Sequence, residues 1–574
     1  MNLIKRIYKL LSQIQKKDIA LILVLILVGL FFEMLSIGII FPIFEFALHP
    51  EKVKKIQIFL NIKQEISQKT FLKYSMIFIF FIYLIKTIFL YFSIKRQNIF
   101  ATNVIKDLSQ ELFHGYIEMP YLFHINNNSS KLIRNVTVET GAFLAFLQSV
   151  MILISESAIV FSVLVLMFFV EFKGTLFTII FFTISSIIFN TATKKIMERL
   201  GKDRQYHDGE YSKHLLQGLN GIKDIKILGK EIFFVKQFDY HNKQRTQILI
   251  KNNTIQQVPR LYLEFISIFA LSMLVIYFVY TSQDISSILP ILGLYAASSF
   301  RLIPSLNRIL VSLSTIKYHK SAIDEIENEL SFLRENIKFQ DNQSIKFSDF
   351  NQLIELKNIT FSYDENKQKI LDNFNLTIKS GEIVGIIGES GAGKSTLVDI
   401  LIGLITPSDG EYFIDQKLLK FNSKSLNKLI GYVPQSIFFI DDTLEKNIAF
   451  GVEDKDVDKE KLKQSIANSQ LESFVNNLPD GLQTIIGERG IKISGGQRQR
   501  IGIARALYFR PKILIFDEAT SALDNETETA VMDTVNQLKG KITIILIAHR
   551  LSTLKNCDKV YKIIKGKANL IELT

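Results

Sequence analysis

A chain of 574 residues has room for several domains, and 48% hydrophobic residues with a mean hydropathy of +0.21 exclude an ordinary soluble enzyme. A formal net charge of +12 admits two kinds of anionic partner, nucleic acid or lipid headgroups. The single cysteine, Cys557, excludes an intramolecular disulfide framework and most cysteine metal sites.

The N-terminus is basic and lacks a small-residue cleavage site, so the first apolar run is read as a retained anchor. Six segments are apolar enough to cross about 30 Å of hydrocarbon: Ile19 to Phe46, Phe71 to Ile94, Phe143 to Val170, Thr175 to Phe189, Val258 to Tyr280 and Ile285 to Leu306. The fourth is short and spans only if its helix continues to Ile196 or Leu200. Five Lys or Arg precede the first span, five lie between Lys95 and Glu139, and thirteen between Asn190 and Gln257. The opposite loops hold about six, so the positive-inside rule places both termini in the cytoplasm. Topology and anionic lipid account for the net charge, and no nucleic-acid partner is expected. The Lys-rich first outer loop departs from the rule. Its Val53, Ile56, Phe59 and Leu60 have helical spacing, which fits either an element lying on the membrane or a solvated loop.

The long cytoplasmic gaps carry helical periodicity, which predicts membrane helices continuing beyond the bilayer. This gives a membrane domain over 1–316, a charged linker over 317–350 and a third region over 351–574. Charges inside the spans are costly unless they face a cavity or a partner. Lys86, Arg260, Arg301 and Arg308 are such charges, and Arg301 and Arg308, seven apart, share a helix face. Doubled in a dimer, they would form a basic ring for a phosphate or diphosphate headgroup. In the competing reading Arg260 pairs with Glu264, Lys86 snorkels to an interface and Arg308 lies in the cytoplasmic extension. Glu33 and Glu156 are intramembrane acids to which the sequence gives no role.

The chemistry is written most clearly in the third region. Gly388-Glu389-Ser390-Gly391-Ala392-Gly393-Lys394-Ser395-Thr396 follows an apolar strand, Ile383 to Ile387, with full phosphate-loop spacing. Its glycines let backbone N–H groups approach phosphate oxygens, Lys394 can reach the β and γ phosphates, and Ser395 offers a hydroxyl to Mg²⁺. The strand Ile513 to Phe516 ends in Asp517, suited to Mg²⁺, and Glu518, suited to deprotonate an attacking water. Between them, Ile493-Ser494-Gly495-Gly496-Gln497 opens a helix whose N-terminus suits an anion or simply its own capping serine. Gln435 in Tyr432-Val433-Pro434-Gln435, the run Ser521-Ala522-Leu523-Asp524, and His549 after the strand Ile542 to Ala548 complete the set.

In this order the motifs resemble the Walker A, Q-loop, signature, Walker B, D-loop and H-loop elements of an ABC transporter nucleotide-binding domain. The resemblance covers roughly Asn351 to Thr574 and implies ATP with Mg²⁺. It implies that Tyr363 stacks on adenine, Gln435 senses Mg²⁺ and the membrane domain, and His549 contacts the γ-phosphate. Ser494 and Gly496 would contact ATP held by the opposite subunit. Ile493 stands where the signature usually begins with leucine, a nearly isosteric change. Thr484-Ile485-Ile486-Gly487-Glu488-Arg489-Gly490 resembles the X-loop of exporters. The whole chain is thus expected to be a polytopic α-helical membrane domain of six helices, in the type IV exporter fold, fused to an α/β P-loop ATPase. Coupling helices are implied near Met119 to Asn127 and within Gly221 to Glu231, and a half-transporter of this kind implies a homodimer. A second resemblance rests on Val258-Pro259-Arg260-Leu261-Tyr262-Leu263-Glu264 and Arg301-Leu302-Ile303-Pro304-Ser305-Leu306-Asn307-Arg308. These are similar to the lipid-linked oligosaccharide flippases of bacterial protein N-glycosylation. That implies a polyprenyl-diphosphate oligosaccharide moved across the inner membrane among membrane lipids. An exporter of peptides, drugs or other lipids is the alternative, and an ABC-type regulator or channel a third.

Overall fold

The computed structural model describes residues 3–39, 68–170, 172–280, 285–341, 350–363, 368–419, 426–487, 493–518, 525–548 and 554–571. The chain divides into two compact units, Met1–Glu118 with Asn127–Glu335, and Met119–Asn126 with Asn336–Thr574.

The first unit is helical. Six long helices carry the apolar runs: α1 (Gln13–Gly38), α2 (Gln68–Glu118), α3 (Thr140–Val170), α4 (Phe172–Asn220), α5 (Glu231–Tyr280) and α6 (Ile285–Tyr318). In lipid every backbone N–H and C=O needs an internal partner, which a helix supplies within the segment. Side chains then turn outward without penalty. Only 6% of the most apolar window of α2 is buried, and Phe78, Phe80, Phe81 and Ile85 stand exposed, as a face meeting lipid requires. The short fourth apolar run is one stretch of α4, which continues through Ile196 and Leu200 to Asn220. The outer-loop residues Val53, Ile56, Phe59 and Leu60 lie outside the described residues.

Beyond the apolar runs the helices extend and turn on short helical elements. Tyr121–Asn126 and Ile222–Leu228 fall where the exporter resemblance puts coupling helices. The second ends on Gly229 at φ 60°, a left-handed cap that suits glycine. A π-helical turn, Asn135–Glu139, sets Glu139 fully buried against Arg204 at 3.0 Å and Arg134 at 3.6 Å. Arg204 also meets Asp208, which accepts from Arg245 of α5 at 2.6 Å. The charged stretch after α6 is in part a helix, α7 (Lys320–Asp341), anchored by Lys131–Glu329 at 2.6 Å and Arg334–Glu111 at 2.7 Å.

In the second unit Leu353–Phe361 (β1), Leu371–Lys379 (β2), Asp409–Ile414 (β4) and Lys417–Leu418 (β5) form an antiparallel sheet ordered β2-β1-β4-β5. A second sheet, β10-β9-β3-β8-β7-β6, is parallel except for its β10 edge. It comprises Ile383–Gly388 (β3), Ile430–Val433 (β6), Ile513–Asp517 (β7), Thr543–Ile547 (β8), Lys559–Ile564 (β9) and Lys567–Ile571 (β10). The inner strands are continuous apolar runs because both faces are covered. The helix α8 (Lys394–Leu401) packs its Leu397, Val398, Ile400 and Leu401 into the core between the sheets.

At Gly201, α4 comes close to the backbone at the end of α6. A Cβ on Gly201 would stand 2.1 Å from the Tyr318 carbonyl oxygen, a backbone atom that cannot swing aside. Gly201→Val should therefore force the helices apart at a cost of about 1–3 kcal/mol, read as a lower apparent melting temperature of the solubilised protein. Unchanged melting would contradict this approach.

Candidate functional site

The phosphate loop leaves the C-terminal end of β3 and enters α8. Gly391 at φ 83° and Gly393 at φ 100° give the loop a curvature closed to residues with a Cβ. Lys394 folds back and donates to the carbonyls of Gly388 at 2.9 Å and Glu389 at 3.2 Å. It is buried, whereas Ser395, Glu389 and Ser390 are exposed. The Tyr363 hydroxyl lies 3.3 Å from Thr396 Oγ1, which sets its ring, 38% exposed, beside the start of α8.

Strand β8 pairs with both β3 and β7, so the acids at the end of β7 stand two strands from the phosphate loop. Tyr432 donates to Asp517 Oδ2 at 3.1 Å. Burial raises the Asp517 carboxyl, and the Tyr432 bond offsets part of that. The half-buried Asp517 carboxylate near Lys394, with the hydroxyl of Ser395 and the amide oxygen of Gln435, is an all-oxygen donor set of the kind Mg²⁺ takes. Mg²⁺ held there would neutralise charge developing on phosphate oxygens. Gln435 Nε2 donates to Glu518 Oε2 at 2.9 Å, and Gln499 in turn donates to the Gln435 carbonyl at 3.1 Å. Glu518 itself sits at φ 49°, a left-handed conformation costly for a residue with a Cβ.

The signature segment opens the helix α9 (Gly495–Tyr508). Ser494 caps it, accepting from Gln497 N at 3.3 Å while Gln497 Oε1 accepts from Ser494 N at 2.9 Å. Within one chain the self-capping alternative is therefore realised. Ser494 and Gly495 nonetheless face solvent, and Gly496 is half-buried. Ile493 is buried among Phe439, Ile486 and Ile501, which accounts for tolerance of isoleucine there. Asp524, His549 and residues 488–490 of the X-loop lie outside the described residues.

In the membrane unit a cavity of about 440 Å³ opens between α1, α2, α3 and α6, lined in part by Glu33, Gln97, Asn98, Glu156, Arg301 and Arg308. Intramembrane charge is paired here. Glu33, 2% exposed, meets Lys86 Nζ at 2.7 Å and also Arg301; Glu156 meets Arg308. Lys86 also donates to Ser36 at 2.9 Å. Arg260 stands apart from this lining, exposed and bonded to Glu264 one turn along at 2.9 Å. Of the four cations of the expected ring, Arg260 pairs with Glu264 as the competing reading has it, and Lys86, Arg301 and Arg308 meet two acids. Glu33 and Glu156 are the acids to which the sequence gives no role. Their signal was the cost of an acid in an apolar run, which demands a cation at matching depth.

One further acid lies under the phosphate loop. Burial, then the neighbouring Asp517, pushes the Asp399 carboxyl up to about 6 from 3.8. The folded form keeps its proton to higher pH than the unfolded chain, so this group removes stability as pH rises from about 4 to about 6. Asp399→Asn should stabilise nucleotide-free protein at pH 7.5 by on the order of 1 kcal/mol after solvent screening, read as a higher apparent melting temperature, with no gain at pH 4. An equal effect at both pH values would sink this assignment.

Comparison with known proteins agrees with both halves. Residues 371–521 match the ABC transporter family, and residues 19–302 match the ABC transporter transmembrane region. The ATP-dependent lipid A-core flippase of Pseudoalteromonas translucida is 29% identical over 86% of this chain and 85% of its own. The uncharacterized ABC transporter ATP-binding protein YwjA of Bacillus subtilis is 30% identical over 84% of this chain and 83% of its own. Among solved structures, a bacterial Atm1-family ABC exporter with ATP bound superposes with a TM-score of 0.78. At 21% identity, it covers 96% of this chain and 94% of that one, a likeness of fold.

Proposed function

Because the chain belongs to the ABC transporters, as a half-transporter whose exporter membrane domain and ATPase share one polypeptide, we propose that two copies hydrolyse ATP to flip a phosphate-headed lipid outward. The headgroup would leave the cytoplasmic leaflet of the bacterial inner membrane while its apolar tail stayed in lipid. The observation that carries this reading is the cavity in which Arg301 and Arg308 line one wall among apolar helices. Arg301 and Arg308 face the cavity with Glu33 and Glu156, Lys86 shares Glu33 from outside the lining, and guanidinium groups offer paired N–H donors to phosphate. Lipid flipping as a class is supported by relatives named lipid A-core flippases. The finer substrate, a polyprenyl-diphosphate oligosaccharide, draws on the likeness of Val258 to Glu264 and Arg301 to Arg308 to the N-glycosylation flippases.

In the nucleotide site Lys394 would exchange its two loop carbonyls for β- and γ-phosphate oxygens. The N–H groups of Gly388, Glu389, Ser390, Gly391, Ala392, Gly393, Ser395 and Thr396 would surround the phosphates, with Tyr363 on the adenine. Ser395, Gln435 and Asp517 would hold Mg²⁺. Glu518 would take the proton of the attacking water, and His549 would contact the γ-phosphate. Ser494, Gly495, Gly496 and Gln497 would meet the ATP of the other copy, with Asp524 at the junction. ATP would draw the two ATPase domains together, and hydrolysis would release them.

Proteoliposomes carrying a fluorescent polyprenyl-diphosphate glycan test this directly. ATP should expose the label, and Glu518→Gln should slow hydrolysis by about 10²-fold or more and stop flipping. Flipping at the normal rate in that variant would exclude the pump mechanism. Arg301→Gln, which leaves Glu33 paired with Lys86, should cut flipping of the diphosphate substrate several-fold while basal ATPase persists. If lipid A-core is moved and the glycan is not, the lipid class stands and the finer substrate falls.

A further inference from the structure

Three of the chain's eight histidines gather where α4 and α5 run side by side outside the apolar segments. Glu210 and His214 are one turn apart on α4, and His207 lies one turn before Glu210, so all three share a face. His241 approaches from α5. Its Nδ1 stands 3.0 Å from His207 Nδ1, and its ring stacks on His214 with centroids 5.3 Å apart. One ligand atom each from Glu210, His214 and His241 lie within 4.8 Å of one another. All three side chains are partly buried, and His214 Nδ1 is buried without a hydrogen-bond partner among the described residues.

We propose that Glu210, His214 and His241 form a site for a first-row divalent transition metal, typified by Zn²⁺, that clips α4 to α5. Two imidazoles and one carboxylate are borderline donors. They suit Zn²⁺, Ni²⁺ or Co²⁺; Mg²⁺ and Ca²⁺ call for oxygen, and Cu⁺ for sulfur. Tetrahedral zinc holds its ligand atoms roughly 3.4 Å apart, so side-chain rotation closes the site without moving either helix. His207 is the orienting partner: with His241 Nδ1–H donating to His207 Nδ1, the lone pair of His241 Nε2 is left for the metal. Lys213, 3.1 Å from Glu210, is the cation the metal would displace.

The scaffold is fixed on both sides of the cluster. Arg245 of α5 bonds Asp208 of α4 at 2.6 Å, and Tyr211 packs on Phe238 with ring centroids 4.7 Å apart. The same two helices are joined at their far end by Ile222–Leu228. A bound ion therefore stiffens this hairpin, whether or not the lipid substrate proposed above is correct.

Full-length protein with any affinity tag removed, stripped of metal and titrated with Zn²⁺ against a chromophoric chelator, should bind one ion per chain. His214→Ala, His241→Ala and Glu210→Gln should each weaken binding at least tenfold, and His207→Gln by about 10–100-fold. The remote His114→Ala should bind as the wild type does. Zn²⁺ should raise the apparent melting temperature of the wild type and not of His214→Ala. Co²⁺ added to the wild type should show the intense visible bands of a tetrahedral site, a readout that needs no variant. No bound ion, or undiminished affinity in the His214→Ala/His241→Ala double variant, would overturn the proposal. So would a Co²⁺ spectrum of a hydrated octahedral ion.

Discussion

Hydrocarbon offers a charge no partner, and the pairing of Glu33 with Lys86 and Arg301 follows from that constraint. An unpaired Glu33, 2% exposed on an apolar helix, would lose its hydration with nothing in return. The two cations come from α2 and α6, so the pairing fixes how these helices stand against α1 and leaves the cavity between them. Arg308 and Glu156 do the same between α6 and α3. A largely apolar cavity among lipid-facing helices thus carries matched charge on its wall, two arginines against two glutamates, with Lys86 on Glu33 behind it.

The nucleotide site obeys the same rule in a different solvent. Lys394 is satisfied by loop carbonyls, Ser494 by its own helix and Glu518 by Gln435. Each of these three groups already has an intramolecular substitute, so for them binding exchanges hydrogen bonds and does not create them from nothing. Net gain from such an exchange is modest per bond and is larger where a charged oxygen replaces a neutral carbonyl. Lys394 makes that trade when phosphate oxygens take the place of the Gly388 and Glu389 carbonyls. The left-handed backbone at Glu518 stores local strain beside it, at the point where Gln435 reaches across.

Much of this was legible in sequence because the signals are local. A phosphate loop is nine consecutive residues, and an apolar run of twenty announces a membrane helix by composition alone. Both coupling segments came from resemblance and lie where short helices stand. What the sequence could not give was pairing across distance. Glu33 is 53 positions from Lys86 and 268 from Arg301, so no periodicity links them, and the cations read as free. The pair Arg260 and Glu264 was legible because a single helical turn connects them. The histidine cluster escaped notice for the first reason: His207, Glu210 and His214 fit a helix face, but only the fold brings in His241.

The sheet order keeps the phosphate loop and the signature helix on different strands of one sheet. The phosphate loop leaves β3, whereas α9, which begins at the signature, packs against β6 and is tied there by Gln499 and Arg505. In the order β3-β8-β7-β6 these lie three strand spacings apart, roughly 14 Å. Arg505 holds α9 by donating to the carbonyls of Phe438 and Asn447, so the helix cannot slide along the sheet to shorten that gap. Ser494 caps its own helix, yet it faces solvent at the exposed start of a helix whose N–H groups favour an anion. In the proposed dimer a second copy would bring that helix start to the other's phosphate loop, and ATP would become the surface the two copies share.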